Sequence, residues 1–597
     1  MIRILFLFIF INLLIPLNAK NVIIEVSNKY PMTELRTCKI KMPRIKDAFD
    51  YCNSYKGNQG IEIVLKDDVN VIDSSLVLNR TSVPITIKAK RGFSVITSGR
   101  IADINVKQNG DTILFPLKSQ CRKLLVNGQN VDIANTFTPM EPMRELPEIK
   151  KITDYLYTAK LSKEEIRQLE EGCDIFIYTR WQCYKLQVKT IDRSTNCITL
   201  STMGKKAFYI TDKGVRYTIY NSRYVMQPGT FCWKNGTIYY LKRKNENISN
   251  IRFSIPTVAT LVRVYDCKNI TFRNISFENA VLDDWYFQEV QGSALCSKAV
   301  HVEYSSMVVF MNCDFHNNMG YSLAIGNHSF NCIIRGCCFS DLQGGGVILG
   351  MEGGDGTNNI SISDNLIKGY GRINVCCEAI LSQRAHHISI TNNTICDGFY
   401  TGINLGWTWG YDKSFSYGNY VANNHVHHLM QGVLDDGGGI YTLGAQNGTI
   451  IENNCIHDIY PDKEMACLIY LDEGSSDLTI RNNICYASKR GISESYGRNN
   501  IIQNNVIGNV DKWGLRLSYP KKDQNLRIIG NMIFADEDMA IDDNIPKESL
   551  NDNVVLPVKD ASFKNKDLVA LYKERLIDII IDYGCRSKRL KNIEEIN

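Results

Sequence analysis

Beyond about residue 251 the chain repeats one short phrase, in which apolar and polar residues alternate and the run closes on Asn or a substitute for it. Ile270-Thr271-Phe272-Arg273-Asn274 and Leu478-Thr479-Ile480-Arg481-Asn482 are two instances. Ten such phrases place their last residue at Asn274, Asn312, Gly336, Asp364, Asn392, Asn423, Asn453, Asn482, Asn504 and Gly530, at intervals of 38, 24, 28, 28, 31, 30, 29, 22 and 26. Alternation with period two predicts strands, and the Ile, Val and Thr content suits them. Recurrence at this spacing predicts a solenoid with loops of variable length. The expected fold is all-β, a right-handed parallel β-helix spanning 251–544. Asn at a coil corner enters the left-handed region and bonds backbone that the turn leaves unpaired, so the column reads as structural.

Earlier segments predict other elements. From Ile45 to Ser98 the chain reads as short strands, among them Ile61–Leu65 and Ile85–Ala89, which would be opening coils within 20–117. Residues 118–250 read as a small β-rich inserted domain, with helical periodicity only at 162–171. A tail at 545–597 leaves the repeat, and 568–580 has the spacing of a helix that would cap the open end.

Composition narrows the class. At 597 residues the chain exceeds one compact core, as a long repeat domain would. A net charge of +5 with no long basic run gives nucleic acid no footprint. Arg3, an apolar run from Ile4 to Leu17 and Asn18-Ala19 read as a secretory signal peptide cleaved after Ala19, and no later stretch suits a membrane span. An exported monomer is expected, periplasmic or secreted. The sequons at Asn269, Asn274, Asn359 and Asn392 fall in or beside the repeat, where a glycan would clash, which favours a bacterial source. Several of the 20 cysteines sit in apolar strand phrases and read as small buried hydrophobes.

Candidate chemistry gathers between 434 and 496. Asp436 precedes Gly437-Gly438-Gly439, which allow a sharp bend or close approach, and Asp435 reads as a turn-maker. Asp472 lies ten residues before Asn482, and Glu494 ten before Asn504. Counted from the Asn column the two share a register, and strands stack at about 4.8 Å. That is close to the roughly 5 Å between the carboxyls of a retaining glycosidase. Stacked carboxylates would also split their ionisation, one serving as nucleophile and one as acid. Trp407, Trp409, Tyr441, Tyr470 and Tyr496 flank the same coils, where exposed rings would stack on sugars. Glu473, Glu378, Arg384, Arg498 and Arg516 are further candidates to line a cleft. Asp397, His428 and Asp458 each fall five residues past an anchor, a possible ligand column. Corner hydrogen bonding is the simpler account of that column, and no metal or cofactor is expected.

Residues 402–411, 436–444 and 469–476 resemble blocks of the bacterial β-helix glycosidases of glycoside hydrolase family 141, with α-L-fucosidase and xylanase activities. The resemblance implies catalytic acids at Asp436 and Asp472. Leu471-Asp472 is also similar to the nucleophile segment of the family 120 β-xylosidases, which implies an acid/base one coil later, at Glu494. Either mapping keeps Asp472. The reading is a retaining glycoside hydrolase acting on plant cell-wall type polysaccharides or oligosaccharides. A lyase or epimerase on the same solenoid and a non-catalytic glycan-binding solenoid are the alternatives.

Overall fold

The computed structural model describes residues 21–556, apart from 32–33, 37–38, 102–104, 208–209, 211–213, 288, 351–355 and 522. The expected signal peptide and the expected helix at 568–580 lie outside those residues.

Alternating apolar residues put one side of each strand inward, and stacking the strands coil on coil builds a sheet of 36 strands. It winds as a right-handed parallel β-helix, as the repeat predicts. Each coil contributes one strand to each of three faces. The first face runs from Leu76–Asn79 through Val262–Tyr265, Lys298–Glu303, Tyr321–Gly326, Val347–Leu349, Ile380–Gln383 and Ile403–Gly406. It continues in the first halves of Gly438–Glu452 and Cys467–Arg481, then in later halves of Ile484–Glu494 and Val506–Leu517. Ile403, Ile440, Ile469, Ile492 and Leu515 pair in register down this face and fill the interior.

All ten anchor residues adopt left-handed backbone, with φ from 51° at Asn312 to 63° at Gly336. The stacked amide bonds, however, belong to the residue that follows the anchor, from Asp364 onward. Asn365, Asn393, Asn424, Asn454, Asn483, Asn505, Asn531 and Asn553 form a continuous ladder. Each Nδ2 of the first seven donates to the next coil's Oδ1 at 2.9–3.0 Å. Anchor and ladder thus divide the work: one bends the backbone, the other satisfies it.

The chain leaves the solenoid after Ser98 and re-enters at Val262, which pairs with Leu76. Strands between residues 100 and 255 form an eight-stranded and a seven-stranded sheet beside it. The helix Lys163–Arg167 opens on a capping box between Ser162 and Glu165. One expectation fails: Ile45–Ser54 is an α-helix, not the start of a strand region. Ile45, Ala48, Phe49 and Cys52 bury one helical stripe against the first coils. Asn53 then docks the helix on the backbone of Val77 and Asn79. That i, i+3, i+4, i+7 pattern was present in the sequence and outweighs the strand signals after it.

Candidate active site

The first face carries an outward column whose members change character along the solenoid. His301, Ala324, Ile348, Leu381, Asn404, Tyr441, Tyr470, Ser493 and Arg516 are successive register partners. Its middle is apolar and its last five members are polar. Tyr441 and Tyr470 meet edge to face at 5.3 Å, and with Trp407, Leu381 and Phe287 they form an apolar cluster outside the solenoid core.

Asp472 stands two residues beyond Tyr470, paired with Leu443, and therefore also faces outward. Tyr441 donates its hydroxyl to Asp472 Oδ2 at 2.5 Å. Desolvation raises the Asp472 carboxyl above its ordinary range, while the hydroxyls of Tyr441 and Tyr470 and the Glu473 backbone pull it back down. Asp436 reaches the same place from a corner. Its backbone is left-handed, at φ 57°, and its carbonyl accepts the Tyr400 hydroxyl at 2.8 Å. Desolvation, and then the charge of Asp472, push its carboxyl up to about 7. Its Oδ1 is buried without a hydrogen-bond partner. The bend comes from Asp436 itself, since none of Gly437, Gly438 and Gly439 has positive φ. Those glycines provide clearance: a Cβ at Gly439 would meet Ile456 Cγ2 at 2.3 Å. Asp435 accepts the Met465 backbone N–H at 2.7 Å and so fixes the corner.

Glu494 is elsewhere. It pairs with Leu471, not with Asp472, and with Leu517 on the next coil, so it points into the solenoid. There it accepts from the Gly497 backbone and from Asn500 Nδ2. Burial pushes its carboxyl up to about 7. The expected shared register with Asp472 is therefore corrected. From the first face to the Asn column is one residue shorter in the later coil, and a slip of one residue turns a side chain to the opposite face. Aligning the first-face phrases Ile403-Asn404-Leu405, Ile440-Tyr441-Thr442, Ile469-Tyr470-Leu471 and Ile492-Ser493-Glu494 reveals this directly.

The remaining candidates divide. Trp409 is 49% exposed beside Trp407, which is 5% exposed and packed in the apolar cluster. The loop that carries them is tied down where Gly410 donates to the Glu473 carbonyl and Tyr411 to the Tyr496 carbonyl. Glu473 accepts the Tyr496 hydroxyl at 3.1 Å. Glu378 is fully buried behind Asn404, whose Nδ2 donates to it at 2.8 Å, and desolvation raises its carboxyl well above the ordinary range. Arg384 lies over the Phe415 ring, and Arg498 over Tyr411 while paired with Asp523. Arg516 ends the outward column.

Residues the sequence reading missed lie along or beside the same outward face. Gln383, Asn404, Thr408, Arg490 and Ser493 each keep a buried side-chain nitrogen or oxygen with no hydrogen-bond partner, as do Glu378 and Asp436. Arg490 lies close enough to Asp436 to lower its carboxyl, and Arg180 reaches the same carboxyl from the neighbouring seven-stranded sheet. Buried polar groups are costly unless paired, so these atoms carry an uncompensated desolvation cost beside the outward column.

The family model described as right handed beta helix region matches residues 193–395 and 373–541, together more than half of the chain. The chain belongs to the right-handed β-helix family. Among solved structures, it is similar to one titled "Glycoside hydrolase", with a TM-score of 0.68 and 17% identity over 91% of this chain and 98% of that one. It is also similar to XylC in complex with xylose, with a TM-score of 0.51 and 12% identity over 90% and 86%. At such identities the likeness speaks for the β-helix fold. A comparison with curated proteins finds no match. Among the described residues no helix is long and apolar enough to cross a membrane.

Proposed function

We propose that the protein is an exported retaining glycoside hydrolase of the kind its sequence resembles, with Asp472 as nucleophile and Asp436 as acid/base. The observation that carries this reading is the pair of neighbouring carboxyls, one of which has hydrogen-bond donors that offset its burial while the other keeps an unpaired oxygen. Asp436, raised to about 7, keeps its proton at mildly acidic pH, while the rise that burial gives Asp472 is offset in part by two tyrosine hydroxyls and the Glu473 backbone. Asp436 protonates the leaving oxygen as the glycosidic C–O bond breaks and Asp472 Oδ bonds to the anomeric carbon. Asp436 then takes a proton from water, whose oxygen displaces Asp472 and restores the carboxylate. Glu494 takes no part, because its carboxyl is spent inside the solenoid. Trp409 offers a face for a sugar ring.

The substrate class proposed is plant cell-wall type polysaccharide or oligosaccharide, with fucosides and xylosides the first to try. A screen of aryl fucosides, xylosides, arabinosides and galactosides, with the product anomer followed by NMR, tests the reading. Release of one sugar with retained configuration supports it. An unsaturated uronide released from a polysaccharide would point to a lyase instead.

A further inference from the structure

Four of the nine histidines lie together on the stacked strands His425–Leu429 and Cys455–Ile459: His425, His427, His428 and His457. This cluster plays no part in the reaction proposed above. His427, His457 and Tyr486 are register partners on successive coils, and their rings stack in parallel at 5.0 and 4.6 Å. The His457 ring is therefore clamped between two others, with its edge nitrogens facing defined neighbours. Nδ1 lies 2.6 Å from Asp458 Oδ2, and Nε2 lies 2.8 Å from His425 Nε2. His428 and Asp458 occupy equivalent corners on adjacent coils, both left-handed, at φ 53° and 55°. One ligand atom each of His428, His457 and Asp458 falls within 4.8 Å of the others.

We propose that His428, His457 and Asp458 form a binding site for a divalent transition-metal ion of the zinc class, strapping two coils together. Two imidazoles and a carboxylate are a borderline donor set that zinc accepts, with water completing four-coordination, and that calcium and magnesium do not favour. Bonds of about 2.0–2.2 Å place tetrahedral ligand atoms about 3.4 Å apart. His457 Nδ1 and Asp458 Oδ2, at 2.6 Å, therefore need to part slightly, and His428, within 4.8 Å of the other two, to close by about 1 Å, a movement within reach of an exposed His428 rotamer. The orienting contact that metal-bound histidines need is already built. When His457 gives its Nδ1 lone pair to the metal, its proton sits on Nε2 and is donated to His425 Nε2. His425 then carries its own proton on Nδ1, so only tautomers change and no proton is lost. Asp397, grouped with His428 and Asp458 in the sequence reading, pairs with Lys368 instead, and His457 takes its place in the cluster.

Untagged protein stripped with a chelator should bind one Zn2+ per chain in a calorimetric titration, with a higher thermal midpoint when loaded. Co2+ should give the absorption bands of a tetrahedral site. His428→Ala alters an exposed side chain, His457→Phe keeps the ring stack, and Asp458→Asn keeps a residue suited to left-handed backbone, so each should fold. Each should weaken Zn2+ binding at least about tenfold and remove most of the thermal shift. His386→Ala, in a separate histidine pair with His387, should change neither. Absence of stoichiometric Zn2+ binding by the wild type, or equal binding by all three variants, overturns the proposal.

Discussion

Two rows of buried polar side chains run along the same solenoid, and they are treated in opposite ways. In the Asn ladder from Asn365 to Asn553, amide meets amide from coil to coil. On the outer side of the first face, Gln383, Asn404, Asp436, Arg490 and Ser493 are left with unpaired buried atoms. The ladder converts polarity into fold stability and has nothing left to offer a ligand. The strip carries the desolvation cost of groups that only a ligand or water would satisfy. The same contrast separates Glu494, whose carboxylate is spent on Gly497 and Asn500, from Asp436 and Asp472.

Substitutions in the two rows should therefore give opposite signatures. Asp472→Asn should reduce kcat/KM by at least about 10³-fold with an unchanged melting temperature, as read by kinetics and calorimetry on one sample. Asn424→Ala should do the reverse. It strips acceptors from Asn393 and a donor from Asn454 and Ile390, lowering stability by about 3 kcal/mol in denaturant titration while folded molecules keep their turnover. Tyr441→Phe removes a hydroxyl that lowers the Asp472 carboxyl. Activity should fall about tenfold, and the acid limb of its pH profile should move to higher pH. Gln383→Met removes an amide with neither atom paired; it should gain about 1 kcal/mol of stability while raising KM.

Glu494→Gln is expected to act only on the pH dependence of stability. The folded carboxyl titrates at about 7, above its unfolded value of about 4.3. Its contribution is fully present below the unfolded value and is lost as pH rises through about 7. The variant should therefore flatten the decline in stability between about pH 4.5 and 7, with activity retained. For Asp436 the direction is the same, and since its proton is the one donated in the reaction, wild-type activity should fall on the alkaline side near pH 7.

The coil was legible because each strand repeats the same local requirement: alternation for the inner face and a residue tolerant of positive φ at the corner. Asp472 was legible because its phrase aligns with its neighbours. Glu494 was misplaced because the count started from the Asn column, across a corner whose length varies, and register does not survive one missing residue. The Ile column on the first face lies beside the site and carries the register without crossing a corner. Asn404, Gln383, Arg490 and Arg180 left no sequence signal of their own. They are single polar residues in strands or turns; the first three show their meaning only when burial without a partner is known, and Arg180 only when its approach to Asp436 is known.

Azide rescue tests the central claim most directly. With an activated aryl glycoside, Asp436→Ala lacks the acid/base, and azide should intercept the Asp472-linked intermediate to give a glycosyl azide of retained configuration. Asp472→Ala, lacking the nucleophile, should give the inverted azide by a single displacement. Rescue of Glu494→Ala with retained configuration, and none of Asp436→Ala, would contradict the account and move the acid/base into the solenoid.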